Sequence, residues 1–214
     1  MVVYPERWGR WRTLLVHDWL TGMRGGERVL EWLCRGFPGA PIYTLFHDRA
    51  AVSDTINAHP IRVSGLGRVP GLARRYRAGL PLFPAAIEHF RAEPADLVLS
   101  TSHCVAKGFR PPPGARHVCY CFTPMRYAWT FHDEYLGRGW KRRLAAPLLA
   151  RLRAWDRAAS ARVDRFVTLS RHVRERVRRF YGRDADVVYP PADTDFFTPG
   201  PAPDAGGYDL IVSA

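Results

Sequence analysis

The chain has 214 residues, 47% of them hydrophobic and 24% charged, which is enough apolar content for a packed core. No apolar run approaches the ~20 residues that a membrane-spanning helix needs. With 32 Lys and Arg against 20 Asp and Glu, the net charge of +12 points to a polyanionic partner: nucleic acid, anionic lipid or a phosphorylated substrate. No recognised nucleic-acid motif accompanies that charge, so nucleic acid is not an expected partner.

Residues 1–12 (MVVYPERWGRWR) form a basic extension without a signal-peptide core, because the first apolar run is cut off by His17 and Asp18. A cytoplasmic location is expected. Leu14, Leu15 and Val16 read as a buried parallel strand. Gly22, Gly25 and Gly26 make a turn, and Glu27 to Arg35 reads as a helix with Val29, Leu30 and Leu33 on one stripe. Further strands are expected at Pro41–Phe46, Ile61–Ser64, Asp96–Ser100, Arg116–Phe122, Arg165–Leu169 and Asp186–Tyr189. Arg68–Phe90 reads as a mixed helical region broken by Pro70, Pro81 and Pro84. Trp140–Arg162 reads as a long helix with Pro147 marking a break or a new first turn. Arg171–Tyr181 reads as a helix capped by Ser170 and ended at Gly182.

Strands alternating with helices predict an α/β fold: a Rossmann-like parallel sheet with helices on both faces, spanning 13–191. Residues 192–207 have linker composition. Tyr208–Ser213 then reads as one more apolar strand, the opening of a second domain.

The glycine turn carries the first chemical hint. A strand feeding a helix through glycines leaves backbone N–H groups at a helix N-terminus, a geometry that binds phosphate. The spacing Gly22-x-x-Gly25-Gly26 is neither the dinucleotide fingerprint nor a P-loop. A tight turn that needs glycine for φ > 0 explains it equally well.

None of the four cysteines (Cys34, Cys104, Cys119, Cys121) forms a C-x-x-C pair. His117, Cys119 and Cys121 alternate along a predicted strand and so share one face. Buried thiols are the expected reading of that face, a metal site the alternative.

Five segments together resemble the N-terminal half of a family 4 glycosyltransferase of the GT-B fold, closest to bacterial mannosyltransferase-like members. They are residues 17–33, 96–108, 121–129, 155–170 and 187–197, and 208–214 resembles the first strand of that family's C-terminal domain. The resemblance implies retaining transfer of a sugar from a GDP- or UDP-linked donor, with no cofactor and no metal, to a glycan or polyprenyl-linked acceptor. It also implies a C-terminal domain with a paired-glutamate motif, which would hold most of the nucleotide. That motif is not in these 214 residues, so the fragment alone is expected to be inactive.

Through the resemblance, Gly25 and Gly26 become the loop at the donor diphosphate and His103 the candidate catalytic residue. His103 would donate a hydrogen bond to a sugar hydroxyl or to charge developing on the leaving diphosphate. His17 and Asp18 end the first strand, where ligands of open α/β sheets gather; a turn cap is the plainer role for Asp18. Ser102 is assigned to the same edge, and Lys107 either adds charge to the cleft or is solvated. Arg126, Tyr127 and Trp129 suit a sugar or a lipid-linked pyrophosphate, or else the rings are core. The spacing of His132, Asp133 and Glu134 would suit a metal, which the resemblance speaks against.

On the Trp140–Arg162 helix, Leu144, Leu148, Leu152, Trp155 and Ala159 form a stripe expected to pack on the core. Lys141, Arg142, Arg143, Arg151, Arg153 and Arg157 lie outside it. With Arg74, Arg75 and Arg77, these offer a face for an anionic membrane. The rival to an enzyme half is therefore a non-catalytic module that binds membrane or lipid-linked sugar.

Overall fold

A computed structural model describes residues 10–69, 71–130, 140–194 and 196–198. His132, Asp133 and Glu134, most of the basic extension, most of the linker and the strand expected at 208–213 lie outside them. So do the side chains of Arg74, Arg75, Arg77, Lys141, Arg142, Arg143 and Leu144.

Seven parallel strands form one sheet: β1 (Thr13–His17), β2 (Ile42–Thr44), β3 (Ile61–Val63), β4 (Leu97–Ser102), β5 (Arg116–Cys121), β6 (Arg165–Thr168) and β7 (Asp186–Val187). Their order is β3-β2-β1-β4-β5-β6-β7. The chain winds outward from β1 to β3, then returns to the other side of β1 to lay down β4. The boundary between β1 and β4 is thus a topological switch point, where crevices open beyond the strand ends. The fold is the α/β, Rossmann-like one expected, and it matches the N-terminal domain of a GT-B architecture.

Register explains the two cores. Leu15 pairs with Leu99, and Val16 with Ser100, which pairs in turn with Cys119. Side chains at paired positions share a face. One face carries Leu15 and Leu99 against Leu30, Cys34 and Ile56, from helices α1 (Gly25–Gly36) and α2 (Asp54–Asn57). The other carries Leu14, Val16 and Val98 against Phe83 and Ile87 of α3 (Phe83–Glu88). It continues through Cys119 and Cys121 to Val173 and Val177 of the last helix.

Helix α4 (Arg126–Trp129) is a single turn, followed by α5 (Trp140–Ala161) and α6 (Arg171–Tyr181). Ser170 caps α6 by accepting the Val173 N–H, and Gly182 closes it at φ +66°, both as expected. Helix α5 runs through Pro147 without a break. Its Leu148, Leu152 and Trp155 pack on the core and Ala159 is buried, as the stripe required.

The basic face is another matter. Arg153 Nε donates to Ala128 O at 2.8 Å and Arg157 Nε to Phe180 O at 3.0 Å. Two of the arginines assigned to a membrane face therefore brace neighbouring elements. The region Arg68–Phe90 resolves into a 3-10 helix, Ala73–Leu82, that contains Pro81 and runs directly into α3. Strand β7 is two residues long, shorter than expected. No helix among the described residues is long and apolar enough to cross a membrane.

Candidate active site

A cleft of about 240 Å³ opens where the switch point places it. His17 ends β1, and Trp19 follows. Arg24, Gly25, Gly26 and Glu27 come from the start of α1, His103 from the turn after β4, and Phe122, Arg126 and Tyr127 from the segment after β5. A second, more apolar cleft of about 470 Å³ adjoins it, walled by Val29, Leu169, Pro190 and Pro191. Gly25, Gly26, His103, Phe122 and Arg126 line both, so they stand at the junction.

Gly25 and Gly26 are the first two residues of α1, where backbone N–H groups have no acceptor inside the helix. Neither has a positive φ. The turn therefore does not need glycine for a left-handed backbone, and the plainer sequence reading fails. What glycine gives is space. A Cβ at position 25 would meet nothing within 4 Å, whereas one at position 26 would come within 3.2 Å of Phe122 Cε2. Gly26 lets the Phe122 ring close on the turn; Gly25 leaves the backbone open to the cleft. Helix N-terminus, Arg24 at the N-cap and Arg126 together give this junction the character of an anion site.

Beneath it lies a buried polar layer. His17 Nδ1 is 2.7 Å from Thr101 Oγ1, and its Nε2 is 3.8 Å from Glu27 Oε1. The Glu27 carboxylate accepts the Arg24 N–H at 3.1 Å. Burial pushes the Glu27 carboxyl up, but the His17 ring and the backbone N–H groups more than offset that, and it stays ionised below its ordinary range. A pair of acceptors and a histidine thus support the start of α1 from below.

Asp18 lines neither cleft. It is fully buried and accepts four successive backbone N–H groups, from His103 to Ala106, at 2.6–3.0 Å. Burial raises its carboxyl pKa, the His103 and His17 rings and the N–H groups lower it, and the balance lies well below the ordinary carboxylate range. The cap reading of Asp18 is the one the geometry supports, although it caps the turn after β4 rather than its own.

Three further assigned residues do not reach the cleft. Lys107 is neither solvated nor at the ligand face: its Nζ is fully buried, paired with Asp156 and donating to Cys104 O at 2.7 Å. Ser102 is buried, on the sheet face that carries Val16 and Val98. Trp129 stacks on Phe180 at 4.8 Å and donates its indole N–H to Asp156 at 2.7 Å. His17, His103, Gly25, Gly26, Arg126 and Tyr127 are brought together; Asp18, Ser102, Lys107 and Trp129 hold the walls from behind.

The sequence reading missed Trp19, Arg24, Glu27 and Phe122. Glu27 had a legible signal, three residues beyond the N-cap. Phe122 and Trp19 lie inside segments that carry the resemblance, but nothing in their spacing marks them as lining. Among the described residues no three His, Cys, Asp or Glu side chains converge as a metal site. Cys119 and Cys121 are buried free thiols.

The family model Glycosyltransferase Family 4 matches residues 23–196. No curated protein matches the chain. Among the described residues the matched span takes in six of the seven strands, helices α1 to α6, and every residue at the junction of the two clefts. The domain is thus a glycosyltransferase domain, which handles a nucleotide-sugar donor and a glycan acceptor in general terms. A match over that much of the chain, on this fold and around this cleft, shows that it belongs to glycosyltransferase family 4.

Proposed function

We propose that this domain is the acceptor-side half of a retaining glycosyltransferase that moves a hexose from a GDP- or UDP-sugar to a glycolipid or polysaccharide acceptor. Mannose, from GDP-mannose, is the donor sugar we favour, on the resemblance of its motifs to bacterial mannosyltransferase-like members. The observation that carries the reading is the junction itself. An open helix N-terminus at Gly25 and Gly26, flanked by Arg24 and Arg126, shares one cleft with His103.

In this reading the N–H groups and the arginines receive the donor diphosphate, where negative charge builds as the sugar leaves. His103 meets the sugar or the acceptor hydroxyl. Tyr127 and Trp19 supply aromatic wall. The rest of the donor is held by a C-terminal domain of the full-length protein, and 1–214 alone does not turn over.

The test is transfer by the full-length protein from GDP-mannose and, separately, UDP-glucose. His103→Ala should cut turnover by tenfold or more at an unchanged melting temperature. Wild-type turnover in that variant would remove His103 from the reaction.

A second reading, contact with an anionic membrane, keeps one observation of its own. Val69 and Leu82 are about half exposed (48% and 54%) at the ends of the basic 3-10 region. Sedimentation with vesicles of neutral and anionic lipid tests it, and equal binding to both would end the electrostatic version.

A further inference from the structure

Asp18 does more than a turn cap requires. Four backbone N–H groups already engage both of its oxygens, Val105 and Ala106 on Oδ1, His103 and Cys104 on Oδ2. Yet Oδ2 is also 3.0 Å from Nδ1 of the His103 ring. An ionised carboxylate offers only lone pairs, so an imidazole nitrogen at that distance must carry a proton. In the neutral ring that leaves Nε2 unprotonated. Nε2 is the far edge of a ring that lines both clefts, and among the described residues the polar contacts of His103 run through its Nδ1 and backbone N–H. The indole of Trp19 fixes the ring plane from the side, at a centroid distance of 4.5 Å and an interplanar angle of 86°.

We propose that Asp18 is a positioning residue of the cleft: it holds His103 in the Nδ1–H tautomer, so that the ring presents a hydrogen-bond acceptor to the ligand. The functional half of this rests on the transfer reading above. Its chemistry divides the labour at the junction. A neutral His103 takes a hydrogen bond from a hydroxyl and is repelled by a phosphate oxygen. The diphosphate falls to Gly25, Gly26 and the arginines. In this proposal, acceptance from a hydroxyl takes the place of the sequence expectation that His103 donates to a sugar hydroxyl or to charge on the leaving diphosphate.

The tautomer is directly observable. Long-range ¹⁵N–¹H spectra of protein labelled at histidine, at about pH 8 where a free imidazole is neutral, should show His103 with a protonated Nδ1 and a pyridine-type Nε2. The signals are assigned by their loss in His103→Gln. Asp18→Ala removes the acceptor, and in the folded variant the Nε2–H form should appear. Three results overturn the proposal: an Nε2–H ring in the wild type, an imidazolium that persists at that pH, or an unchanged tautomer in folded Asp18→Ala. Should Asp18→Ala fail to fold, the wild-type spectrum alone decides. The spectra do not depend on turnover. An inactive enzyme with the expected tautomer would sink the transfer reading and leave the positioning intact.

Discussion

Asp18 and Asp156 are both fully buried carboxylates, and they are compensated by opposite means. Asp156 faces a fixed cation, the buried Lys107, and its other oxygen takes the Trp129 indole N–H and the Tyr181 hydroxyl, each at 2.7 Å. Among the described residues Asp18 faces no fixed cation, only N–H groups and histidine rings. Both anchor the segment His103–Gly108, one from the end of β1 and the other from α5. Asp18 specifies the shape of that segment residue by residue. Asp156 ties it to α5, α6 and the Arg126–Trp129 turn through a charge balance. A wall built this way can present His103 rigidly without spending any charged side chain at the ligand face.

The contrast predicts different rescue behaviour. Asp156→Ala leaves the Lys107 ammonium buried without its partner, a loss of about 3–5 kcal/mol. Removing both charges in Lys107→Met/Asp156→Leu should recover the part owed to the unpaired ammonium, while the Trp129 indole and the Tyr181 hydroxyl, which lose their acceptor in both variants, keep the rest of the loss. Urea unfolding measures both. A single variant that costs under about 1 kcal/mol would mean the pair is not balanced as its geometry implies.

Asp18→Ala should cost about 3 kcal/mol, since buried N–H groups lose their acceptor and water reaches them only in part. Here no second substitution restores stability: Asp18→Ala/His103→Ala should unfold at the same urea concentration as Asp18→Ala alone. Recovery in that double variant would show that the Asp18–His103 contact, rather than the backbone cap, dominates, and would erase the distinction between the two carboxylates.

His117 is the third kind of buried titratable group, with a hydroxyl for company, Ser100 Oγ at 2.8 Å from Nε2. Burial lowers its pKa from 6.5 to about 4, against a smaller opposing pull from Asp164. The unfolded chain therefore takes up a proton as the pH falls through about 6.5, while the folded chain does not until about 4. Stability is full near neutrality and lost on acidification through that window, by about 2 kcal/mol at about pH 5. The linkage of Asp18 has the opposite origin, a folded pKa that is lowered for an acid, and it sets in only at lower pH. Unfolding midpoints at about pH 7.5 and pH 5 should differ in the wild type and converge in His117→Gln. An equal slope in the variant would place the acid sensitivity elsewhere.

These buried groups also mark where sequence reading stops. The strands were legible because short apolar runs such as residues 14–16 and 97–99 have no other use in a parallel sheet. The cap of α6 was legible because Ser170 and Gly182 act on their own neighbours in the chain. Lys107 was not, since its partner lies 49 residues away and a lone lysine after a strand reads as solvated. Asp18 was half legible: a cap by residue type, but of a turn 85 residues downstream that only the β1–β4 pairing brings near. The carbonyl contacts of Arg153 and Arg157 were illegible for the same reason, as their partners on α4 and α6 are set by packing. Local chemistry shows in a sequence; polar contacts made across the sheet do not.

The smallest effect on stability separates the two glycines of the turn, and it is where function should diverge most. A methyl at position 26 must push the edge of the Phe122 ring by a few tenths of an ångström from 3.2 Å, so Gly26→Ala should cost about 1 kcal/mol. Loss of transfer in that variant would be ambiguous, because Phe122 also lines both clefts. A methyl at position 25 touches nothing within 4 Å, and the backbone there has no positive φ, so Gly25→Ala should leave the melting temperature unchanged or slightly raised. If the diphosphate approaches the N–H groups of this turn, that same methyl occupies its path, and transfer by the full-length protein should fall by tenfold or more. A stable Gly25→Ala variant with wild-type turnover would move the phosphate contact away from the helix start and leave Arg24 and Arg126 to carry it.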